Sequence, residues 1–248
     1  MRSLTGNEKV EANTSILALA QLARHNNYTR PHILEEDVLE IIGGRHPLQE
    51  QVVASFVPND TKLGGMETND ARIQLLTGAN FSGKSVYLKQ VAMIVFLAQV
   101  GSFVPAEHAT LGICDRIMTR VQTRESVSRQ ASAFMIDLQQ IAFALQNCTA
   151  RSLLVVDEFG KGTDSADGAG LFCGLMDHLQ ALGGSCPKVL AATHYHELLE
   201  RKFLVSSPML QFAHMEILLN PDAPDVQEQC VYLYRLAHGM SMSSFGTW

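Results

Sequence analysis

Apolar residues recur at intervals of three and four along several stretches of the chain, which is the period of a helix with one buried face. The helices that this pattern predicts cover residues 9–25, 85–100, 133–146 and 169–182. Short, mostly apolar runs predict buried strands over residues 73–76, 116–121, 153–156 and 189–193. Because strands and helices alternate from residue 72 onward, the pattern predicts an α/β fold with a mainly parallel sheet covered by helices on both faces.

The segments on either side of this alternating region have other patterns. A short strand is predicted over residues 38–42, bounded by glycines and a proline. Residues 57–70 are rich in Pro, Gly, Asn and Asp, which predicts a loop. Residues 210–237 mix polar and apolar positions, which indicates antiparallel strands.

The composition narrows the possible classes of protein. The 248 residues, 46% hydrophobic and 18% charged, are enough for one or two globular domains and unlike a disordered chain. A net charge of −6 excludes a basic DNA-coating module as a description of the whole chain, although not a local basic patch. Five cysteines without a C-x-x-C pair argue against a disulfide scaffold or a structural zinc site and fit a reducing compartment. We find no run long enough to cross a bilayer and no secretory signal.

The segment from Gly78 to Ser85 fits the phosphate-loop pattern G-x-x-x-x-G-K-S, between a predicted strand and a predicted helix. Its glycines let the backbone wrap around phosphate groups, and the following helix N-terminus supplies positive potential. Lys84 is therefore predicted to reach the β- and γ-phosphates and Ser85 to bind Mg²⁺. The predicted nucleotide-binding residues of this loop are Gly78, Ala79, Asn80, Phe81, Ser82, Gly83, Lys84 and Ser85. The alternative is a glycine-rich turn with a surface lysine, which the strand–loop–helix context disfavours.

A later apolar strand ends in two acids, Asp157 and Glu158. Ligands of α/β proteins bind at the carboxyl ends of the strands, so both carboxylates are expected at the nucleotide site. Asp157 is predicted to hold Mg²⁺, directly or through water, and Glu158 to orient and polarise the attacking water. The pair could also be a strand that simply ends in polar residues, but the phosphate loop upstream favours the functional interpretation.

Two histidines, His194 and His196, follow the next buried strand. A histidine at this edge could form a hydrogen bond with the γ-phosphate, and we assign that role to His194. The alternatives are a metal site and a structural histidine. The H-E-x-x-H order is absent and no other ligand cluster supports zinc, so a surface or structural role is predicted for His196.

Further motifs lie around these residues in a fixed order: Gly44-Arg45-His46-Pro47, Val100-Gly101-Ser102-Phe103-Val104-Pro105-Ala106, Ser132-Ala133-Phe134-Met135, Asp157-Glu158-Phe159-Gly160-Lys161-Gly162-Thr163, Ala192-Thr193-His194-Tyr195 and Ser244-Phe245-Gly246. With the phosphate loop, they resemble the MutS family from about residue 10 to residue 246. The resemblance implies an ABC-like P-loop ATPase fold with an antiparallel subsheet, preceded by the end of a lever helix. It divides the chain into a lever-helix remnant (1–30) and a MutS-type ATPase domain (31–248) that stops before the C-terminal dimerisation helices of the family.

The resemblance also implies roles that the residues alone do not. Phe56 and Val57 match the segment whose aromatic ring stacks on adenine, the alternative being a core phenylalanine. Ser132 matches the signature serine that approaches the γ-phosphate of the opposite subunit. Gln130 and Ala133 depart from the Gly-Arg-Ser-Thr pattern of the repair members, which bears on the strength of that contact.

Details of the phosphate loop and of the Phe159-Gly160-Lys161 segment look like the meiosis-specific subtype of eukaryotes, the fifth MutS homologue. That likeness implies ATP and Mg²⁺ as cofactors, a nuclear location and a heterodimer with a second MutS-family subunit, the fourth homologue. DNA would be bound through domains mostly absent from this sequence, and no membrane is involved. The leading hypothesis is an ATP-hydrolysing motor of a DNA clamp. The alternatives are a dimerisation module that binds nucleotide without turnover and another ABC-like ATPase, which the Arg129–Met135 segment disfavours.

Overall fold

The computed structural model describes residues 6–65, 71–120, 130–219 and 230–240. The helices in these ranges are α1 (Gly6–His25), α2 (Lys84–Gln99), α3 (Gln130–Asn147), α4 (Ser165–Ala181) and α5 (Glu197–Glu200). The strands are β1 (His32–Leu34), β2 (Val38–Gly44), β3 (Asn59–Gly64), β4 (Ile73–Thr77), β5 (His108–Gly112), β6 (Ile117–Arg120), β7 (Leu153–Asp157), β8 (Lys188–Ala192), β9 (Leu210–Leu219) and β10 (Cys230–His238). None of the described helices is long and apolar enough to cross a membrane.

The larger sheet has the strand order β10-β9-β4-β8-β7-β6. Its neighbouring strands are parallel except for β9 and β10, which pair antiparallel. Every residue of β4, β7 and β8 is buried, which explains why these strands are apolar runs in the sequence. The predicted α/β fold with a mainly parallel sheet and an antiparallel part is confirmed. The predicted helices and strands of this region end within a few residues of the observed ones.

This sheet has an apolar core on each face. On one face, Phe172 and Met176 of α4 pack in the same cluster as Leu75 of β4. On the other face, Leu88 of α2 packs in the same cluster as Leu76 of β4 and the inner side chains of the smaller sheet. Neighbouring residues of β4 are therefore held from opposite sides, which fixes the position of the loop that follows this strand.

The smaller sheet has the order β1-β5-β2-β3, with β2 antiparallel to both of its neighbours. The prediction of a loop over residues 57–70 is therefore wrong for residues 59–64, which form β3. Burial alternates along β3, but its inward positions include Asn59 and Thr61, so the strand carries little hydrophobic signal. Asn59 bonds to the main chain of β10, and the Thr61 hydroxyl lies 2.7 Å from that of Tyr87. The strands β1 and β5 were likewise not predicted from the sequence.

An ion-pair cluster links the two sheets. Asp37, just before β2, pairs with Lys188 at the start of β8 and with Arg72 just before β4. Although burial raises the pKa of the Asp37 carboxyl, its hydrogen bonds with Lys188 and Arg72 lower that pKa overall. The cluster lies at the amino ends of the central strands, away from the phosphate loop at their carboxyl ends.

Candidate active site

The phosphate loop joins the carboxyl end of β4 to the first turn of α2. Its backbone has positive φ angles at Gly78 (128°), Phe81 (63°) and Gly83 (104°). A side chain at Gly83 would be strained, and its Cβ would lie 3.2 Å from the Cδ1 atom of Tyr234. Glycine at this position lets the chain enter α2 directly, so that the helix N-terminus faces the loop.

Lys84, the first residue of α2, is only 5% exposed. Its ammonium donates hydrogen bonds to the main-chain oxygens of Gly78 (2.7 Å) and Ala79 (2.9 Å). Burial lowers the pKa of this ammonium, while the negative charges of Glu158 and Asp157 oppose the shift. The loop thus places a desolvated cation beneath its own backbone, within the field of both predicted carboxylates.

The other loop side chains divide into a buried and an exposed group. Ser82 is fully buried and donates from its hydroxyl to the main-chain oxygen of Ala79 at 2.7 Å, which closes the loop on itself. Asn80 is exposed, and Phe81 is 88% exposed at the loop tip. Ser85 is half-buried and lies close enough to the Asp157 carboxyl for its hydroxyl to lower the pKa of that group.

Asp157 ends β7 and is 3% exposed. Burial raises the pKa of its carboxyl, as does the charge of Glu158, while the hydrogen bond with Ser85 lowers it. Within the described residues the Oδ1 atom is buried and has no hydrogen-bond partner. A buried carboxylate oxygen without a partner beside a hydroxyl is the donor set that a hard cation takes, so the residues fit Mg²⁺.

Glu158 follows at once, in the left-handed region with a φ of 53°. Its amide donates to the main-chain oxygen of Ala192 (3.0 Å), which anchors the residue to the end of β8. Its Oε2 atom accepts a hydrogen bond from the Lys161 ammonium at 2.8 Å. Although burial raises the pKa of the Glu158 carboxyl, Lys161 lowers it overall, with smaller contributions from Lys84 and His194. Glu158 is therefore ionised at neutral pH, as a base must be.

His194 lies just beyond β8 and is half-buried beside the Tyr195 ring, with the ring centroids 4.1 Å apart. Burial lowers the pKa of His194, and the negative charge of Glu158 opposes that shift. Its Nδ1 atom is buried without a partner among the described residues. The neighbouring His196 adopts the N-cap position of α5, and its amide donates to the main-chain oxygen of His194. The structure thus puts His194 within the field of Glu158 and gives His196 a place at a helix end.

Phe56 and Val57 are half-buried in the segment before β3. Two residues later, the side-chain amide of Asn59 donates a hydrogen bond to the main-chain oxygen of Tyr234 at 2.9 Å, so this segment is bonded to β10. Tyr234 has a φ of 53° at an irregularity in the β9–β10 pairing, and its ring lies over Gly83. Sequence reasoning missed this aromatic ring, because the pairing irregularity that turns it toward the loop is not visible in the residue pattern.

The predicted residues fall into two groups in the structure. Lys84, Ser85, Asp157, Glu158 and His194 lie near the carboxyl ends of β4, β7 and β8, while their roles stay predictions. Ser132 lies in the first turn of α3, but its side chain is outside the described part, so its predicted role stays a prediction.

In the described ranges, no group of three or more His, Cys, Asp or Glu residues is arranged to bind a metal ion. This is compatible with Mg²⁺ at Ser85 and Asp157. Mg²⁺ characteristically takes one or two protein ligands and completes its coordination with water and substrate phosphates.

Comparison with known proteins gives consistent matches. The family model for MutS domain V matches residues 74–248. The MutS protein homolog 5 of Saccharomyces cerevisiae is 38% identical over 257 residues, covering 93% of this chain and 28% of the yeast protein. The DNA mismatch repair protein MutS of Sorangium cellulosum is 40% identical and that of Alkaliphilus metalliredigens 37%, covering 92% and 93% of this chain and 24% and 25% of those proteins. The chain therefore spans about a quarter of the length of these relatives.

Proposed function

The chain belongs to the MutS family, and on that premise we propose that it is an ATP-binding and ATP-hydrolysing domain. The observation that supports this most is the convergence of Lys84, the Ser85–Asp157 pair and Glu158 at one edge of the parallel sheet. The lowered pKa of Glu158 keeps it ionised, and the Oδ1 atom of Asp157 has a vacant hydrogen-bonding position, as their proposed roles require.

Binding begins at the phosphate loop, where the amides of the first turn of α2 and the Lys84 ammonium attract the phosphates. On binding, the ammonium would exchange its hydrogen bonds with the Gly78 and Ala79 oxygens for phosphate oxygens. Ser85 and Asp157 would hold Mg²⁺, which supplies positive charge to the phosphate oxygens. Phe56 and the Tyr234 ring, on two segments joined through Asn59, would stack on the adenine.

In the chemical step Glu158 would orient the attacking water and polarise it as a base. Lys161 engages the Oε2 atom at 2.8 Å, so the water would be taken by the other carboxylate oxygen or after this ion pair opens. His194, kept neutral by its burial, would form a hydrogen bond with the γ-phosphate. Ser132 at the start of α3 would approach the γ-phosphate of a second subunit, which makes the site composite.

In the whole protein, ATP would drive a DNA clamp that acts on mismatches or on meiotic recombination intermediates. The likeness to the yeast MutS protein homolog 5 supports the meiotic subtype. With that subtype we propose a heterodimer with a second MutS-family subunit, of the fourth-homologue type, and a nuclear location. The chain is also similar to bacterial DNA mismatch repair MutS proteins, so mismatch binding is the other candidate for the DNA target of the whole protein.

A nucleotide-binding dimerisation module without turnover is the second candidate. The Lys161–Glu158 ion pair favours it, because the base is engaged by a partly exposed lysine in this conformation. The two candidates differ in one respect only, namely whether Glu158 becomes free to act once nucleotide and the second subunit are bound.

The Glu158→Gln substitution distinguishes the two. It keeps the shape of the side chain and its hydrogen bonding but removes the base, so we expect nucleotide binding to persist and single-turnover hydrolysis to fall by about two to four powers of ten. The assay uses this chain with a second MutS-type subunit, each mutated separately, and radiolabelled ATP. Glu200→Gln, an exposed acid on α5, is the matched control. Hydrolysis by this subunit that Glu158→Gln leaves unchanged would favour the module without turnover.

A further inference from the structure

Arg120, the last residue of β6, carries a buried charge that the roles assigned so far do not explain. The residue is 4% exposed. One end of its guanidinium forms an ion pair with Asp137 on α3. Another N–H group donates to the main-chain oxygen of Asp157 at 2.6 Å. A single side chain therefore contacts both α3 and the end of β7, the strand that carries the proposed Mg²⁺ ligand.

The burial of this group makes both contacts structurally significant. A guanidinium removed from water has a large desolvation cost unless hydrogen bonds and an opposite charge offset it. Asp137 supplies the charge, and its side chain is only 15% exposed, so solvent screens the pair weakly. The planar guanidinium can contact both partners at once, whereas an ammonium would not hold two acceptors in that fixed geometry.

The position of Arg120 determines which part of the site it can affect. In the parallel pairing of β6 with β7, Arg120 lies opposite Val156, one residue before Asp157. The Asp157 carboxylate itself has few restraints, since Ser85 is near it and its Oδ1 atom has no partner among the described residues. The main chain of Asp157 pairs with Ala192 of β8, and Arg120 adds a hydrogen bond to its oxygen, so Arg120 helps to fix the direction in which the carboxylate leaves the strand.

The other contact reaches the helix that begins near Ser132. Asp137 is five residues further along α3, about one and a half helical turns. A shift of α3 would pull on Arg120 through the ion pair, and Arg120 would pass that shift to the Asp157 main chain. This gives a short, contiguous connection between the face proposed to meet a second subunit and the Mg²⁺ ligand.

We propose that Arg120 is a positioning residue, held by Asp137, that sets the orientation of the Asp157 carboxylate for Mg²⁺ and couples it to α3. The proposal rests on the proposed nucleotide function. It assigns no contact between Arg120 and the substrate.

The test uses Arg120→Lys in this chain, because lysine keeps the charge and can pair with Asp137 but lacks the second arm. The readout is the Mg²⁺ concentration that gives half-maximal binding of a fluorescent ATP analogue. We expect it to rise about tenfold, the size typical for loss of a group that orients a metal ligand. Binding of the analogue without Mg²⁺ should stay close to that of the wild type, whereas the thermal midpoint should fall, because a buried hydrogen bond is lost.

Two further variants separate positioning from general destabilisation. Asp137→Asn removes the charge that holds Arg120 and should raise the Mg²⁺ requirement in the same direction. Asp37→Asn breaks the ion-pair cluster at the opposite end of the strands, so it should lower the thermal midpoint and leave the Mg²⁺ requirement unchanged.

The possible outcomes are distinct. A folded Arg120→Lys variant with the wild-type Mg²⁺ requirement would overturn the positioning role, and so would an equal shift in the Asp37→Asn control. If Arg120→Lys does not fold, Asp137→Asn decides by the same criterion. A wild-type chain that binds no ATP analogue would contradict the proposed function itself.

Discussion

At the scale of single residues, His46 makes the fold sensitive to pH. Its buried Nδ1 atom accepts hydrogen bonds from the amides of Leu48 (3.2 Å) and Gln49 (3.3 Å), which only a neutral ring nitrogen can do. Burial lowers the pKa of His46 below its ordinary value of 6.5, and it does the same for His194 and His196. Below pH 6.5 the unfolded chain therefore binds more protons than the folded protein.

It follows that the free energy of unfolding is highest above pH 6.5 and decreases as the pH falls below it. We expect His46→Asn to weaken this dependence, since asparagine offers an acceptor for the same amides but does not titrate. Denaturant unfolding of both proteins on either side of pH 6.5 measures the effect. A pH dependence equal to that of the wild type would exclude His46 as a contributor.

The residues of the site differ in how far the sequence could predict them. Asp157 ends the buried strand β7, His194 lies two residues beyond β8, and Lys84 lies at the end of the loop that follows β4. The carboxyl edge of a parallel sheet brings such positions together whatever the details of packing. Tyr234 and Arg120 reach the site through a pairing irregularity and through a buried side-chain network. Both depend on tertiary contacts between segments far apart in the chain, which no local pattern encodes.

At the scale of elements, α4 packs so closely on the site that one of its glycines is essential for the fit. A Cβ at Gly168 would lie 2.1 Å from the Tyr195 hydroxyl and 2.4 Å from the main-chain oxygen of Gly160. Gly170, one half-turn further along the same helix, has open space around its Cβ position. The two positions thus provide a matched pair within one helix.

We expect Gly168→Ala to lower the free energy of unfolding by about 1–3 kcal/mol, because main-chain atoms must move to admit the methyl group. It should also slow hydrolysis, since Gly160 belongs to the segment that follows Glu158. Gly170→Ala should instead raise the free energy of unfolding by about 0.5–1 kcal/mol through helix propensity. Denaturant unfolding of the two variants checks both values, and equal effects would contradict the packing described.

The sequence predicts a strand correctly where all of its residues are buried by apolar neighbours. β4, β7 and β8 are buried on both faces, so their sequences are continuous apolar runs. β3 was missed because two of its inward residues are polar and are satisfied by β10 and Tyr87. Its identity as a strand is set by those partners rather than by hydrophobicity.

At the scale of the whole molecule, the site is the meeting point of two sheets and their helices. The larger sheet carries the phosphate loop, the carboxylates and, at the irregular part of β10, Tyr234, while the segment before β3 of the smaller sheet carries Phe56. The ion-pair cluster around Asp37 joins the sheets at the opposite end. A net charge of −6 fits the proposed nucleotide site, whose positive groups are local and do not require a basic surface.

The most direct test of the central claim is titration of this chain with a fluorescent ATP analogue and Mg²⁺, comparing the wild type with Lys84→Ala. The exposed Lys202→Ala serves as the control. Loss of a charge-assisted hydrogen bond to phosphate should weaken binding by about ten- to a hundredfold in Lys84→Ala, with the control unchanged. Equal affinities for the wild type and Lys84→Ala would contradict the assignment of the phosphate loop and with it the account of this protein as an ATPase domain.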